Sequence, residues 1–260
     1  MKVVIFAGGL GTRLMEETEA RPKPMVEIGG KPILWHIMKI YEAQGFNEFI
    51  ICLGYKQSMI KEYFMNYFFT NSDITIDLAT NETVVHQPTT DNFKVTLVDT
   101  GLETNTAGRL KRIERYIYNE TFMLTYGDGV SDINLNNLLE FHKEKGKLAT
   151  LTSIQLPGKF GNLDISDNGQ VLRFVEKPID DGVWINGGFM VLEPDVFKYL
   201  LGDADSIQFE KGPLIELTKS NQLVTYKHTG FWKCMDALRD KIELEQLWAS
   251  GLAPWKNWKD

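Results

Sequence analysis

Cysteine is scarce in this chain: 260 residues hold two, Cys52 and Cys234. That is too few for a disulfide framework or for a thiolate zinc site. Cys52 falls in the apolar run Phe49-Ile50-Ile51-Cys52-Leu53, which predicts a core residue. Histidine is scarce as well. His36, His86, His142 and His228 show no ligand spacing, and no serine or cysteine beside them suggests covalent catalysis, so structural or surface roles are expected. No apolar stretch approaches the ~20 residues of a membrane span. The first apolar run is short and leads into glycines, unlike a signal peptide. Positive charge is not in excess either: 28 basic residues face 35 acidic ones, a net charge of −7. This argues against a general nucleic-acid or anionic-membrane surface, so any cations that matter must act locally. A reduced, cytoplasmic protein is the expectation.

What remains is an ordinary globular composition, 43% apolar and 24% charged, long enough for a sizeable core. The early pattern predicts strand, helix, strand, helix: an apolar run at 3–6, helical spacing over 33–43, an apolar run at 48–53 and an aromatic-rich helix over 58–69. That order is the signature of βαβ units and a parallel sheet. Residues 74–78 and 94–98 alternate like half-exposed strands, and the polar stretch 81–92, with Pro88, reads as a loop or insertion. A locally basic helix is expected over 108–118, a buried strand over 121–126, a helix over 135–145 and a strand over 149–154. Strands at 161–165, 171–175 and 184–192 follow, with short turns such as Asp167-Asn168-Gly169. Helices over 194–201 and 215–221, a strand at 223–227, an amphipathic helix over 236–248 and a tail with Trp255 and Trp258 complete the chain. No repeat, low-complexity tract or composition break marks a linker. The expected fold is α/β: one domain, 1–260, with a Rossmann-like, mostly parallel mixed sheet flanked by helices and a β-rich C-terminal half.

The stretch most informative about chemistry is Val3-Val4-Ile5-Phe6-Ala7-Gly8-Gly9-Leu10-Gly11-Thr12-Arg13-Leu14, followed by Arg21-Pro22-Lys23-Pro24. A buried strand running into glycines leaves backbone N–H groups open to an anion, and Arg13 and Lys23 add two cations. The spacing is not that of a P-loop, because no Lys-Ser or Lys-Thr follows the glycines. Nor is it the dinucleotide fingerprint, because Leu14 stands where a third glycine belongs, which disfavours an oxidoreductase. Two further strand ends carry polar groups: Gly127-Asp128-Gly129, whose carboxylate suits Mg²⁺, and a late segment ending in Asp236. Glu176-Lys177-Pro178 offers an acceptor for sugar hydroxyls and a cation for a phosphate, and Asn186-Gly187-Gly188 a hydrogen-bonding amide beside small residues.

Taken in order, Gly-Gly-x-Gly-Thr-Arg-Leu…Pro-Lys-Pro, Gly-Asp-Gly and Glu-Lys-Pro resemble the sugar-phosphate nucleotidyltransferase family. The resemblance covers essentially the whole chain. It is strongest to the cytidylyltransferase branch acting on glucose 1-phosphate, through residues 21–36, Val98-Asp99-Thr100-Gly101, 108–112 and Phe231-Trp232…Met235-Asp236. Most of the family places its second aspartate two residues after the aromatic, whereas Trp232 and Asp236 are four apart; this branch shares the longer spacing. Asp240 is expected on a helix surface.

The resemblance implies transfer of CMP from CTP to α-D-glucose 1-phosphate with Mg²⁺, yielding CDP-glucose for surface polysaccharide, by a homo-oligomer. It implies that Arg13 holds the leaving phosphates and that Lys23 contacts the α-phosphate. It gives Phe6, Ala7, Gly8, Gly9, Leu10, Gly11, Thr12 and Gly127 to the nucleotide, and Thr104 and Arg109 to the base. Tyr126, Glu176, Lys177, Asn186 and Gly187 fall to the sugar phosphate, and Asp128 and Asp236 to the metal. The alternatives are a uridylyl- or thymidylyltransferase on the same sugar phosphate, and a non-catalytic subunit that binds sugar nucleotide.

Overall fold

The β-branched run at the N-terminus becomes the sheet's centre. The computed structural model describes residues 1–11, 14–86, 91–155, 162–166, 168–175 and 183–259. Seven strands form the main sheet: β1 (Lys2–Phe6), β2 (Glu48–Leu53), β3 (Lys94–Asp99), β4 (Phe122–Tyr126), β5 (Ala149–Gln155), β6 (Trp184–Leu192) and β7 (Leu223–His228). Their order is β7-β5-β6-β4-β1-β2-β3. Only β6 runs against its neighbours; the other pairings are parallel. The mostly parallel mixed sheet is therefore as expected.

The principal helices are α1 (Ile33–Glu42), α2 (Gln57–Met65), α3 (Thr106–Ile117), α4 (Leu135–Lys145), α5 (Pro213–Lys219) and α6 (Leu238–Ala249). Successive residues of a strand face opposite ways. Val3 and Ile5 accordingly pack with α1, α4 and α6, whereas Val4 and Phe6 pack with α3 and α5. Val3, Val4 and Ile5 are completely buried, and each such side chain contributes roughly 1.5–3 kcal/mol. No helix among the described residues is long and apolar enough to cross a membrane.

The chain builds β1, β2 and β3 outward in sequence, then returns through α3 to place β4 on the other side of β1. The strand order reverses there, and a crevice opens outside the carboxyl ends of β1 and β4. The N-terminus of α3 is fixed beside this crevice by a neighbouring loop. Asn105 N donates to Asp205 O (2.8 Å) and Ala107 N to Ile207 O (3.2 Å), which satisfies donors that the first helical turn leaves without intrahelical partners.

Several elements differ from expectation. Part of the stretch expected to be a loop or insertion, 81–92, is a strand: Glu82–His86 pairs antiparallel with Asp73–Asp77, outside the main sheet. Asp77 Oδ1 accepts from Ala79 N (2.8 Å) and Thr80 N (3.2 Å) to close the turn. Both faces of that hairpin are largely exposed, and although 74–78 alternates as expected, 82–86 carries no apolar period. Pro88 lies outside the described residues, as do Gly161 and Asp167. The helix expected over 58–69 is two, Gln57–Met65 and Tyr67–Asn71, with the break at Asn66. Residues Pro194–Tyr199 form a 3₁₀ rather than an α-helix. The tryptophan tail folds back on its own chain: Trp255 is buried and stacks on Phe231 at 5.6 Å, and Trp258 meets Trp35 edge-on at 5.6 Å.

Candidate active site

A cavity of about 680 Å³ opens at the crevice between β1 and β4. Its walls include Phe6, Ala7, Gly8, Gly9 and Gly11 from the first strand end, and Tyr126, Gly127 and Asp128 from the β4 end. Leu10 is exposed beside it. Glycine is required at position 8 because the chain passes directly over a guanidinium: a Cβ there would overlap Arg109.

Lys23 is brought into the cavity by the prolines around it. Pro22 has φ −66°, and a single 3₁₀ turn, Lys23–Met25, closes with Val26 N donating to Lys23 O (3.1 Å). Its ammonium donates to Asp128 Oδ2 at 2.8 Å and to Asp236 Oδ1 at 2.9 Å. A short antiparallel ribbon explains why two such distant aspartates meet. Gly129–Ser131, leaving Asp128, pairs with Trp232–Cys234, arriving at Asp236, and Met235 N donates to Asp128 O (2.9 Å).

Asp240 is not simply a helix-surface residue. Its carboxylate accepts from Asp236 N (3.1 Å) and Ala237 N (2.9 Å), and it pairs with Lys233 at 3.1 Å. The helix expected from 236 therefore starts at Leu238 and leaves Asp236 before its first turn. Burial disfavours the Asp240 charge, but these N–H donors and the Lys233 ammonium outweigh it and hold the carboxyl below its usual range.

Charge at Lys23 is settled by the same contest. Burial lowers the pKa of a lysine, but the Asp128 and Asp236 carboxylates outweigh it and raise Lys23 above the ordinary lysine value. Cys234 completes the cluster: one ligand atom each from Asp128, Cys234 and Asp236 lies within 4.8 Å of the others. Burial, then the Asp128 carboxylate, pushes the thiol pKa up, which keeps it protonated. The two carboxylates suit a hard cation that prefers oxygen ligands.

Arg109 is buried, and its guanidinium is committed to four main-chain carbonyls and one threonine hydroxyl. One terminal nitrogen donates to Leu53 O (3.0 Å), Gly101 O (2.8 Å) and Thr100 Oγ1 (2.8 Å), the other to Gly8 O (2.9 Å) and Leu102 O (3.3 Å). It thus fastens together the carboxyl ends of β1, β2 and β3. Burial lowers its pKa. Thr104 lines the cavity and accepts from Arg112 at 2.9 Å.

On the β6 side, Asn186 Oδ1 accepts from Gly188 N (2.9 Å) and its amide donates to the Tyr126 hydroxyl (3.4 Å). Gly188 has φ +82°, and a Cβ there would press on the Tyr126 ring, so glycine is needed on both counts. Trp232 Nε1 donates to Gly187 O at 2.7 Å. Trp232 and Glu210 line the cavity without having been expected there. Trp232 marks the spacing to Asp236 in the sequence without a site role of its own, and Glu210 carries no motif.

Thr12, Arg13, Glu176 and Lys177 lie outside the described residues. The structure brings the other expected residues to one strand-end edge, with Leu10 at the surface. The histidines lie elsewhere: His36 is buried under the tryptophans, His142 contacts Thr150 (2.8 Å) and Glu193 (3.0 Å), His228 pairs with Asp132 (2.9 Å) and His86 contacts Thr75 (2.9 Å) on the hairpin.

This fold, with its crevice at the strand reversal, is that of the nucleotide-diphospho-sugar transferases. The chain is an enzyme and belongs to the nucleotidyl transferase family, which matches residues 2–241. It is 54% identical over 260 residues to the glucose-1-phosphate cytidylyltransferase of Salmonella typhi, covering the whole of both chains. It is 28% identical over 212 residues to the UTP–glucose-1-phosphate uridylyltransferase of Synechocystis, which spans 77% of this chain and 51% of that one. Among solved structures, HddC from Yersinia pseudotuberculosis superposes with a TM-score of 0.67 at 25% identity, over 95% of this chain and 99% of the other.

Proposed function

We propose that this chain transfers CMP from CTP to α-D-glucose 1-phosphate, releasing CDP-glucose and pyrophosphate. The observation that carries this reading is the 54% full-length identity to a glucose-1-phosphate cytidylyltransferase. The cavity supports it with a protonated lysine held between two carboxylates.

In the proposed reaction, an oxygen of the sugar phosphate attacks the α-phosphorus in line. A P–O bond forms there as the bond to pyrophosphate breaks. No side chain needs to become a nucleophile, so rate comes from positioning and charge neutralisation. Lys23 supplies a fixed positive charge for the α-phosphate, and Gly8, Gly9 and Gly11 let main-chain N–H groups approach the nucleotide phosphates. Arg109 acts by holding the strand-end carbonyls in place, and Asn186 and Gly187 flank the sugar. Arg13, Thr12, Glu176 and Lys177 take the phosphate and sugar roles that the resemblance gives them. Asp128 and Asp236 would hold Mg²⁺, which would supply positive charge to offset that of the phosphates.

One domain, 1–260, carries both halves of the site, a mainly nucleotide-binding half over about 1–130 and a mainly sugar-binding half over about 131–260. We place the enzyme in the cytoplasm as a homo-oligomer. Exposed Phe68, Ile76, Leu78 and Val84, on and beside the outlying hairpin, support self-association. Pyrophosphate release with glucose 1-phosphate, Mg²⁺ and each of four nucleotides tests the reading. Release with CTP alone is expected. Release with UTP or dTTP instead would replace the base, and release with none would favour a binding subunit.

A further inference from the structure

The Tyr126 ring reaches from the end of β4 to a carboxylate that the proposed reaction does not yet use, that of Glu210. Glu210 lines the cavity and is held by two hydroxyls. Tyr126 donates to Oε1, and Thr106 donates to Oε2 at 2.9 Å while itself accepting from Phe209 N at 2.7 Å. Burial, then the Glu210 carboxylate, pushes the Tyr126 pKa up, so the phenol remains a donor. Among the described residues no lysine or arginine pairs with Glu210. The nearby cation of the same wall, Arg109, spends its donors on Gly8, Leu53, Gly101, Leu102 and Thr100.

A half-buried carboxylate that meets only neutral hydroxyls keeps lone pairs for a further donor. The cavity is read as a triphosphate site, and a phosphate would repel this group. The donor must therefore come from a neutral part of the ligand. Its surroundings select which part. Thr106 opens α3 two residues after Thr104, which the resemblance gives to the base, and the Phe6 ring, given to the nucleotide, lines the same cavity 6.1 Å from the Tyr126 ring and tilted 50° to it. Such surfaces suit a planar base.

We propose that Glu210 is a specificity-determining residue whose carboxylate accepts a hydrogen bond from the exocyclic amine of cytosine. This rests on the cytidylyl-transfer reading above. Uracil and thymine carry a carbonyl oxygen at that position, so a lone pair would face the carboxylate and leave it unsatisfied. A site built to accept from a ligand N–H discriminates strongly against an analogue that lacks it.

The test is equilibrium binding of CTP and UTP, without sugar phosphate, to the full chain and to Glu210→Gln, with melting curves confirming the fold. Glutamine keeps the size, its one carbonyl oxygen still accepts from one of the two hydroxyls, and its amide N–H suits a carbonyl. CTP affinity is expected to fall about tenfold or more, with UTP affinity unchanged or improved. Equal weakening of both nucleotides would overturn the proposal in favour of a ribose contact. Unchanged nucleotide binding with a raised KM for glucose 1-phosphate would overturn it in favour of a sugar hydroxyl. If Glu210→Gln does not fold, Glu210→Asp is read in the same way. Failure of the functional reading shows in the wild type, as the absence of any CTP preference. Failure of the Glu210 role shows only in the variants.

Discussion

The Lys23 ammonium lies 2.8 Å from Asp128 Oδ2 and 2.9 Å from Asp236 Oδ1, residues 105 and 213 positions away in sequence. Neither carboxylate is deeply buried, but the lysine side chain is only 12% exposed. A buried cation gripped at two points loses little further entropy when it meets a phosphate, which is how preorganised charge accelerates a reaction.

Lys23→Ala removes that charge and leaves two carboxylates facing one another. Turnover is expected to fall about 10²–10³-fold, while far-UV circular dichroism stays native. A variant that keeps near-wild-type kcat would remove Lys23 from the reaction.

Asp128→Asn keeps the shape of the strand end and removes one charge from the pair. Activity is expected to lose its normal response to added Mg²⁺, with a fall of about 10²–10³-fold at saturating substrate. A metal titration that matches the wild type would take Asp128 out of the cation site.

Much of this site is legible in the sequence because its parts lie at strand ends. Gly-Asp-Gly after an apolar run announces Asp128, and Gly-Gly-x-Gly after β1 announces the phosphate loop. What a linear reading does not show is which groups are already committed. Arg109 reads as a free cation in a basic helix, yet five oxygens of the strand ends occupy it. Glu210 belongs to no motif; only the fold brings it to Thr106 and Tyr126. Asp240 resembles an exposed helical residue until the helix is seen to begin after Asp236, which turns its carboxylate into a cap. The hairpin strand at 82–86 escapes notice because neither of its faces is buried, so nothing in its pattern repeats.

Gly8→Ala tests the tie between the first strand end and Arg109. The added methyl would overlap the guanidinium, and overpacking of this kind costs about 1–3 kcal/mol. Urea unfolding is expected to show that loss together with weaker nucleotide binding, because the same guanidinium holds Gly8 O at 2.9 Å. Stability equal to the wild type would mean that Arg109 moves aside freely.

His36 makes stability depend on pH in the weakly acidic range. The ring is completely buried, 4.6 Å from the Trp248 ring. As the neutral form, its Nε2–H donates to Ile28 O (2.8 Å) and its Nδ1 accepts from the Trp255 indole (3.4 Å). A second proton would have to sit on Nδ1, opposite an N–H donor and away from water. Burial accordingly lowers the pKa to about 4, outweighing the backbone hydrogen bonds to Ile28 and Lys31 that act the other way. The unfolded chain takes up this proton near pH 6.5, whereas the folded chain resists until about pH 4. Stability is therefore lost as pH falls through that window, by about 3 kcal/mol in full. In His36→Gln, which keeps a donor and an acceptor but cannot titrate, urea midpoints are expected to be lower at pH 8 and to change less between pH 6.5 and 4.5. Wild-type and variant profiles that run parallel across those pH values would show that His36 is not the group responsible.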